Sequence, residues 1–231
     1  SFELRGYEAD DVLGTLARMA DDAGVEAAIL SGDRDLLQLV RPGVSVLLPG
    51  RNFSDAVTYN EEAVEARFGV SPRQLTAFKA LVGDPSDNIP GVAGVGEKTA
   101  ARLLQQYENL DSLFEHLPEV TPTKLQAALA TSREQAIASL RLATIVVDVP
   151  LQFELDDCRI GNYDRERALT LLRELEFNSL VNRLPAALPT DGHTTTPEPA
   201  RTVTAPQVAD TSQDAISVKD ELLRANEVVI C

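Results

Sequence analysis

Seven acidic side chains lie in three short clusters along the N-terminal part of the chain. The clusters are Glu8, Asp10 and Asp11; Asp33 and Asp35; and Asp84 and Asp87. Carboxylate oxygens without nearby histidine or cysteine favour Mg²⁺ or Mn²⁺ over zinc. So many acids can converge only around cations, because like charges otherwise repel or protonate. Two such ions about 4 Å apart could hold a phosphodiester and activate a water for its hydrolysis.

Each acidic cluster also has a purely structural interpretation. The first could complement the dipole of a helix that begins there, and the second could cap the helix that follows it. The third could stabilise a turn around Pro85. The metal-site interpretation gains from the combination of three clusters with a phosphate-binding loop directly after the third.

That loop is glycine-rich and runs into an apolar-periodic helix. Gly91, Gly94 and Gly96 fall within six positions, and Lys98 lies in the first helical turn. Backbone N–H groups in such a loop can approach an anion closely, and the helix N-terminus adds partial positive charge.

Two better-known glycine motifs do not fit this loop. A P-loop needs adjacent Gly and Lys, but Glu97 intervenes, and a dinucleotide fingerprint needs a third glycine where Thr99 stands. What remains is a helix–hairpin–helix, which binds one nucleic-acid phosphate and reads no base. The alternative is a plain glycine-rich connection between two helices that binds nothing.

The elements that would position the acids can be assigned from periodicity. Residues 8–23 predict a helix, residues 25–30 a buried parallel strand, and residues 36–40 the start of another helix. This β–α–β-like unit places Asp33 and Asp35 beyond the carboxyl end of a strand, where ligands bind in open α/β sheets.

The remaining pattern is a hairpin followed by helices. Residues 44–48 and 56–59 predict the hairpin. Helices are predicted at residues 61–68, 72–82, 110–117, 122–130, 132–142, 165–175 and around Leu180. Residues 185–214 are rich in Pro, Thr and Ala, which predicts a linker, and residues 216–225 and 227–231 predict one more helix and strand.

Composition narrows the function classes. Thirty-six acidic residues against 21 basic ones give a net charge of −15, which excludes a basic nucleic-acid coat but suits metal-binding acids. The two cysteines, Cys158 and Cys231, lie too far apart in sequence to suggest a disulfide framework or zinc site, which suits a reducing compartment. No apolar run reaches transmembrane length.

Three sequence blocks resemble the signature motifs of the 5′-nuclease (flap endonuclease) family. They are GYEADD at 6–11, SGDRDLLQL at 31–39, and GDPSDNIPGV at 83–92 with GEKTA at 96–100. The resemblance is strongest to members that form the N-terminal 5′→3′ exonuclease domain of a bacterial DNA polymerase, and it covers about residues 1–185. It implies an α/β fold: a partial PIN-like or Rossmann-like nuclease core followed by a mostly helical helix–hairpin–helix subdomain.

The resemblance also implies an activity and its residues. The activity is metal-dependent hydrolysis of DNA at a 5′ flap or nicked duplex, independent of sequence, by a monomeric cytoplasmic protein at the bacterial nucleoid that binds no membrane. All seven acids would ligate two or more Mg²⁺ or Mn²⁺ ions, with Asp33, Asp35, Asp84 and Asp87 catalytic. K⁺ would bind the helix–hairpin–helix, whose DNA contacts would be Gly91, Gly94, Gly96, Lys98 and Thr99.

The same resemblance implies domain boundaries: a core at 1–82, a DNA-binding region at 83–184, a linker at 185–215, and at 216–231 the start of a 3′→5′ exonuclease-like domain. Family members carry a further segment, with another metal-binding aspartate, before the GYEADD block. We therefore expect a nearly inactive fragment whose strand at 25–30 forms an exposed sheet edge. Two alternatives stay open: a non-catalytic helix–hairpin–helix DNA-binding module, and a stand-alone 5′ nuclease without a polymerase.

Overall fold

The computed structural model describes residues 2–50, 55–158, 163–185 and 228–230, and the chain forms two compact units. The first unit comprises residues 1–151 and 212–231, and the second comprises residues 152–211. The first contains all the acids and glycines singled out above. The mixed α/β architecture confirms the predicted fold class.

A mixed sheet forms the centre of the N-terminal half. Its described strands are β1 (Ala27–Leu30), β2 (Val44–Leu48), β3 (Val57–Tyr59) and β4 (Val228–Ile230), in the order β3-β2-β1-β4. β1 is parallel to both β2 and β4, and β2 and β3 form the predicted antiparallel hairpin. β1 is therefore flanked on both sides, and the expectation of an exposed edge at this strand was wrong.

Helix α1 (Ala9–Asp22) covers the sheet with one apolar face. Val12, Leu16, Ala17 and Ala20 are buried at the spacing that a 3.6-residue period gives. The crossover from β1 to β2 is a 3₁₀-helix (Asp35–Leu39), whose leucines at 36, 37 and 39 are buried. Asp33 and Asp35 thus lie beyond the carboxyl end of β1, as predicted.

The helices that follow form a second, larger apolar core. They are α2 (Glu61–Phe68), α3 (Leu75–Val82), α4 (Glu97–Tyr107), α5 (Leu110–Glu115), α6 (Thr123–Thr131) and α7 (Arg133–Ala143). Local signals fix their ends: Asn60 caps α2 by accepting a hydrogen bond from the Ala63 N–H, and Gly69 ends it in the left-handed conformation. Buried members of this core include Phe78, Leu81, Leu103, Leu104, Leu113, Phe114 and Leu129.

The described part of the second unit contains two α-helices. They are α8 (Arg165–Glu174), which Asp164 caps by accepting from the Arg167 N–H, and α9 (Asn178–Val181). The helix predicted at 216–225 and nearly all of the predicted linker lie outside the described residues. The strand predicted at 227–231 is present as β4, while the predicted division into domains stays a prediction. No helix in the described ranges has both the length and the apolar character needed to cross a membrane.

The connection from α3 to α4 is closed at its base by Gly83 and Gly91, each of which lies against the facing backbone. Asp84 and Ile89 exchange two backbone hydrogen bonds of 2.8 Å, and the Val92 N–H donates to the Leu81 carbonyl. Gly91 has a φ of +68°, and a Cβ there would lie 2.4 Å from the Val82 carbonyl oxygen. This close approach of backbone to backbone holds the loop at 84–90 in a fixed conformation.

We predict that Gly91→Ala destabilises the fold severely. The substitution combines a left-handed backbone with a backbone clash, and we expect a loss of roughly 3 kcal/mol in the free energy of unfolding. Gly94→Ala is the matched control, because Gly94 has a φ of +81° but open space around its Cβ position. It should lose only about 1 kcal/mol. Urea unfolding of both variants measures the difference, and equal losses would contradict the prediction.

Candidate active site

Asp35, Asp84 and Asp87 meet at one place. One carboxylate oxygen from each lies within 4.8 Å of the other two, and the side chains are partly buried or exposed. Asp35 begins the 3₁₀-helix after β1, while Asp84 and Asp87 lie in the closed loop after α3. The second and third acidic clusters of the sequence therefore converge. Three carboxylates on fixed backbone segments fit a hard divalent cation.

A lysine occupies the centre of this cluster. The Lys79 Nζ lies 2.5 Å from the Asp35 Oδ2 and 3.2 Å from the Asp84 Oδ2, and it also donates to the Asp87 Oδ2. Its side chain is 13% exposed. One ammonium against three carboxylates leaves a net negative charge, so the cluster still attracts cations.

The pKa values of the cluster reflect this pairing. Burial alone would lower the pKa of Lys79, but the hydrogen bonds to Asp35 and Asp87 outweigh it and raise the pKa. The Lys79 hydrogen bond lowers the pKa of Asp87, whereas burial raises the pKa of Asp35 despite the same partner. The acids and the lysine are therefore linked into one charged network.

Asp84 is held by its own loop as well as by Lys79. Its Oδ1 accepts a 2.9 Å hydrogen bond from the Ser86 N–H and another from the Ser86 hydroxyl. The Ser86 hydroxyl contributes most to lowering the pKa of Asp84, to about 2. Asn88, with a φ of +57°, turns the chain back to Ile89. The turn around Pro85, which was the structural interpretation of this cluster, is thus present. It also orients the Asp84 carboxylate.

Asp10 connects the first acidic cluster to the second. Burial, followed by the charges of Asp33, Asp35, Glu8 and Asp11, raises the pKa of Asp10 from 3.8 to about 6. Like charges act on a carboxyl in this way only at short range. Five of the seven predicted acids thus have a direct contact or a charge interaction with another cluster or with Lys79, namely Asp10, Asp33, Asp35, Asp84 and Asp87.

Asp11 uses both of its oxygens to hold backbone. Its Oδ2 accepts from the Glu8 N–H at 3.1 Å, which closes a capping box at the start of α1. Its Oδ1 accepts from the Val146 N–H at 2.8 Å, 135 residues away. Asp11 and Glu8 therefore fix the helix end, and their assignment as metal ligands stays a prediction.

Asp33 is exposed and orients the chain after β1. Its Oδ1 accepts from the Asp35 N–H at 2.9 Å, while its own N–H donates to the Ser31 hydroxyl at 3.1 Å. This hydrogen bond to the N–H two residues on forms a turn before the 3₁₀-helix, whose N-cap is Arg34 without a side-chain cap, so Asp33 does not cap that helix as the structural alternative proposed. The charge of Asp33 also contributes, after burial, to the raised pKa of Asp10.

The glycine-rich loop presents backbone at the start of α4. Gly94 and Gly96 are exposed, with open space around their Cβ positions, and Gly96 is the N-cap of α4 without a side-chain cap. Lys98 is exposed in the first turn and Thr99 is half-buried. Gly91, in contrast, is buried and serves the packing of the loop base. The assignment of these five residues as DNA contacts stays a prediction.

Lys79 is the residue that sequence reasoning missed. It lies in LTAFKALV, where Ala77, Phe78, Ala80 and Leu81 are buried. A lysine in so apolar a helix, five residues before Asp84, is the signal that could have identified it. Its partner Asp35 is 44 residues away, which local patterns do not reveal.

We predict that Asp10→Asn stabilises the metal-free protein at neutral pH. Because the folded pKa lies above the ordinary value, the folded state holds a proton that the unfolded state loses between about pH 4 and 6, so wild-type stability falls over that window. The variant lacks this penalty and should gain roughly 1 kcal/mol at pH 7.5, after allowance for solvent screening of a half-exposed group.

Asp111→Asn is the control for this prediction. Asp111 takes the second position of α5, as Asp10 does in α1, and it is exposed. Its substitution should change stability by no more than about 0.5 kcal/mol. Thermal unfolding in chelator at pH 4.5 and 7.5 separates the two, and a destabilised Asp10→Asn protein at pH 7.5 would contradict the prediction.

Comparisons with known proteins agree with this architecture. The family described as 5′-3′ exonuclease, N-terminal resolvase-like domain, matches residues 1–69. The family described as 5′-3′ exonuclease, C-terminal SAM fold, matches residues 70–166. The boundary between them falls between the α2 helix and the α3 helix, so the acids of the first two clusters lie in one matched domain and those of the third in the other.

Similar curated proteins are bacterial DNA polymerases I. The chain is 42% identical over 184 residues to that of Bacillus caldotenax, covering 80% of this chain and 21% of the relative. It is 46% identical over 193 residues to that of Chloroflexus aurantiacus, covering 81% and 20%. The chain thus spans about a fifth of the length of these relatives.

Solved structures of bacteriophage T5 proteins share the fold. A T5 5′-exonuclease with bound divalent metal ions (zinc) has a TM-score of 0.56 and 26% identity, covering 63% of this chain and 52% of that chain. A T5 flap endonuclease in a pseudo-enzyme–product complex with DNA and metal ions has a TM-score of 0.55 and 26% identity, covering 62% and 51%. With both exonuclease domains matched in order over residues 1–166, the chain belongs to the 5′-3′ exonuclease family.

Proposed function

We propose that the chain is the metal-dependent 5′→3′ exonuclease and flap endonuclease part of a bacterial DNA polymerase I. The observation that carries the proposal is the convergence of Asp35 with Asp84 and Asp87, whose loop leads directly into an exposed glycine-rich helix start. Similarity to DNA polymerases I over most of this chain supports the proposal that the chain is part of such a polymerase. We further propose that it acts as a monomer in the cytoplasm, at the nucleoid.

The acids would bind two or more Mg²⁺ or Mn²⁺ ions. Asp35, Asp84 and Asp87 offer one group of ligands, and Asp10 and Asp33 lie close enough to interact electrostatically with Asp35. When bound, such ions polarise a phosphodiester and make a water nucleophilic. The oxygen-only donor set supports hard cations, and the T5 relatives with metal ions support divalent ones.

The glycine-rich loop would hold the DNA substrate. In a helix, the N–H groups of the first turn have no intrahelical acceptor, so those of Glu97 and Lys98 can donate to a phosphate. Open space beside Gly94 and Gly96 allows close approach. K⁺ at the same loop would add a further bridge to phosphate. Since these contacts reach only the DNA backbone, the choice of 5′ flap or nicked duplex would not depend on sequence.

A non-catalytic DNA-binding module is the second candidate. It is favoured by Lys79, which balances part of the acidic charge without any metal, and by Asp11 and Asp33, which hold backbone N–H groups. In that case the acids serve the fold, and the loop alone serves the function. Substitution of a single acid distinguishes the two candidates.

We predict that Asp87→Ala abolishes Mg²⁺-dependent cleavage of a 5′-flap substrate. The cleavage rate should fall by about 100-fold or more, which is on the order of the cost of misplacing a catalytic group. Asp87 is exposed and its carboxylate is used only in the acidic cluster among the contacts described, so the fold and most of the DNA affinity should persist. The assay uses the full-length product of the gene that encodes this chain.

Asp111→Ala is the control for this assay, because Asp111 is an exposed aspartate on α5 and should leave cleavage unchanged. Full activity of Asp87→Ala, or wild-type activity in excess chelator, would rule out the metal-dependent reaction. If the wild-type protein binds DNA but does not cleave it with any divalent ion, the non-catalytic module would be favoured.

We predict that Lys98→Ala weakens DNA binding equally for unrelated duplex sequences. Loss of one phosphate contact should lower the slope of log affinity against log salt by roughly one unit. Lys124→Ala is the matched control, since Lys124 is also exposed at the second position of a helix, α6, but no glycine-rich loop precedes it. Fluorescence anisotropy over a salt series measures both, and a loss that depends on sequence would contradict the prediction.

A further inference from the structure

Lys79 fills the space between the three converging carboxylates. All three of its partners are Oδ2 atoms, one each from Asp35, Asp84 and Asp87. These three oxygens face the ammonium, so a cation that took its place would bind the same atoms. A divalent ion bonds carboxylate oxygens at about 2.0–2.6 Å, so it and the ammonium cannot use the same oxygens at once.

The position of Lys79 in its helix allows the ammonium to leave. Phe78, Ala80 and Leu81 are buried in the helical core and fix the backbone of α3. The lysine side chain, however, is a flexible four-carbon stem that carries a point charge. Rotation of this stem moves the ammonium out of the cluster without any movement of the helix.

We propose that Lys79 is a placeholder for the metal: its ammonium keeps the three carboxylates assembled in the metal-free protein and is displaced when a divalent cation binds. This inference rests on the proposed metal site and adds a residue that competes with the metal. The ammonium reduces repulsion among Asp35, Asp84 and Asp87 and so preserves their spacing. A doubly charged ion gains more from the cluster than the ammonium does, whereas a monovalent ion offers no such gain.

The displacement imposes a cost on metal binding that substitution can remove. Breaking charge-assisted hydrogen bonds to Lys79 opposes binding, so Lys79→Met should bind Mn²⁺ roughly tenfold more tightly than the wild type. The same variant should have a lower Tm in chelator, because nothing then offsets the repulsion among the acids. Electron paramagnetic resonance of free Mn²⁺, titrated with the 231-residue chain, measures the affinity.

Two further variants make this measurement specific. Arg34→Met removes an exposed positive charge between Asp33 and Asp35, so it reports the long-range effect of lost charge alone. It should tighten Mn²⁺ binding by no more than about twofold, as expected for a screened surface charge. Asp84→Asn should weaken binding strongly, which shows that the titrated ion occupies this cluster.

The outcomes separate this inference from the proposed function. If Asp84→Asn does not weaken Mn²⁺ binding, the metal site itself is wrong, and the placeholder is wrong with it. If Asp84→Asn weakens binding but Lys79→Met tightens it no more than Arg34→Met does, the placeholder alone is wrong. Tighter binding by Lys79→Met alone supports the proposal.

A measurement on the wild-type chain covers the case in which Lys79→Met does not fold. In ¹⁵N-detected spectra, an ammonium held by three carboxylates gives a signal with slowly exchanging protons. Saturating Mg²⁺ should remove or shift the Lys79 signal, and K⁺ at the same ionic strength should not. A Lys79 signal that is unchanged by saturating Mg²⁺ would overturn the placeholder.

Discussion

Repulsion among like charges is the constraint on which the rest of this structure depends. A site for hard cations requires several carboxylates in one place, but such a group is unstable before the cations arrive. The chain meets this constraint in two ways. Lys79 contributes one positive charge from the adjacent helix, and the loop from Asp84 to Ile89 is closed by two backbone hydrogen bonds that resist spreading. Burial, followed by the charges of the neighbouring acids, raises the pKa of Asp10 to about 6, so Lys79 does not offset all of the repulsion.

The same connection between helices positions both the acids of the third cluster and the glycine-rich loop. Residues 83–96 join α3 to α4, with the acids in the first half and the exposed glycines in the second. Hydrogen bonds from Val92 to Leu81 and from Gln135 to the Gly91 carbonyl fasten the middle of this connection to the helical core. A phosphate bound at the start of α4, as the proposed function requires, would therefore lie at a fixed distance from the carboxylates.

Local features of the fold could be predicted from the sequence, and long-range ones could not. The helix at 61–68 ends at Gly69 and the hairpin at 44–59 forms, because these depend on neighbouring residues. The predicted helix start at 36–40 is a 3₁₀-helix at Asp35–Leu39, within the connection from β1 to β2. The pairing of β4 with β1 joins residues about 200 positions apart, and no periodicity encodes it.

The candidate site shows the same division. The acids of the second and third clusters and the open glycines follow from residue type and spacing, whereas the Lys79 pairing with Asp35 spans 44 residues and depends on tertiary packing. The structural alternatives were also partly right, since Asp84 stabilises its turn by accepting from the Ser86 N–H and hydroxyl. A carboxylate can hold backbone with one oxygen and leave the other for a ligand, so the structural and chemical interpretations do not exclude each other.

Adjacent aspartates in α1 illustrate how one short motif serves both fold and chemistry. Consecutive helical residues point about 100° apart. Asp10 therefore faces the other acids, while Asp11 faces the extended segment at 145–149 and accepts from Val146. Thr15 and Arg18 bind the same segment through Val149 and Val147, one and two turns further along the helix.

This segment follows directly after the last helix of the large core. Gln38, in the 3₁₀-helix that begins at Asp35, accepts from the Ile145 N–H of this segment and donates to the carbonyl of Ala143 at the end of α7. The orientation of Asp10 and Asp35 is thus fixed by chain more than 100 residues later. We therefore expect a change that loosens residues 145–149 to move Asp10 and Asp35 as well. The segment is hydrogen-bonded to α1 and to the 3₁₀-helix, which carry these two acids.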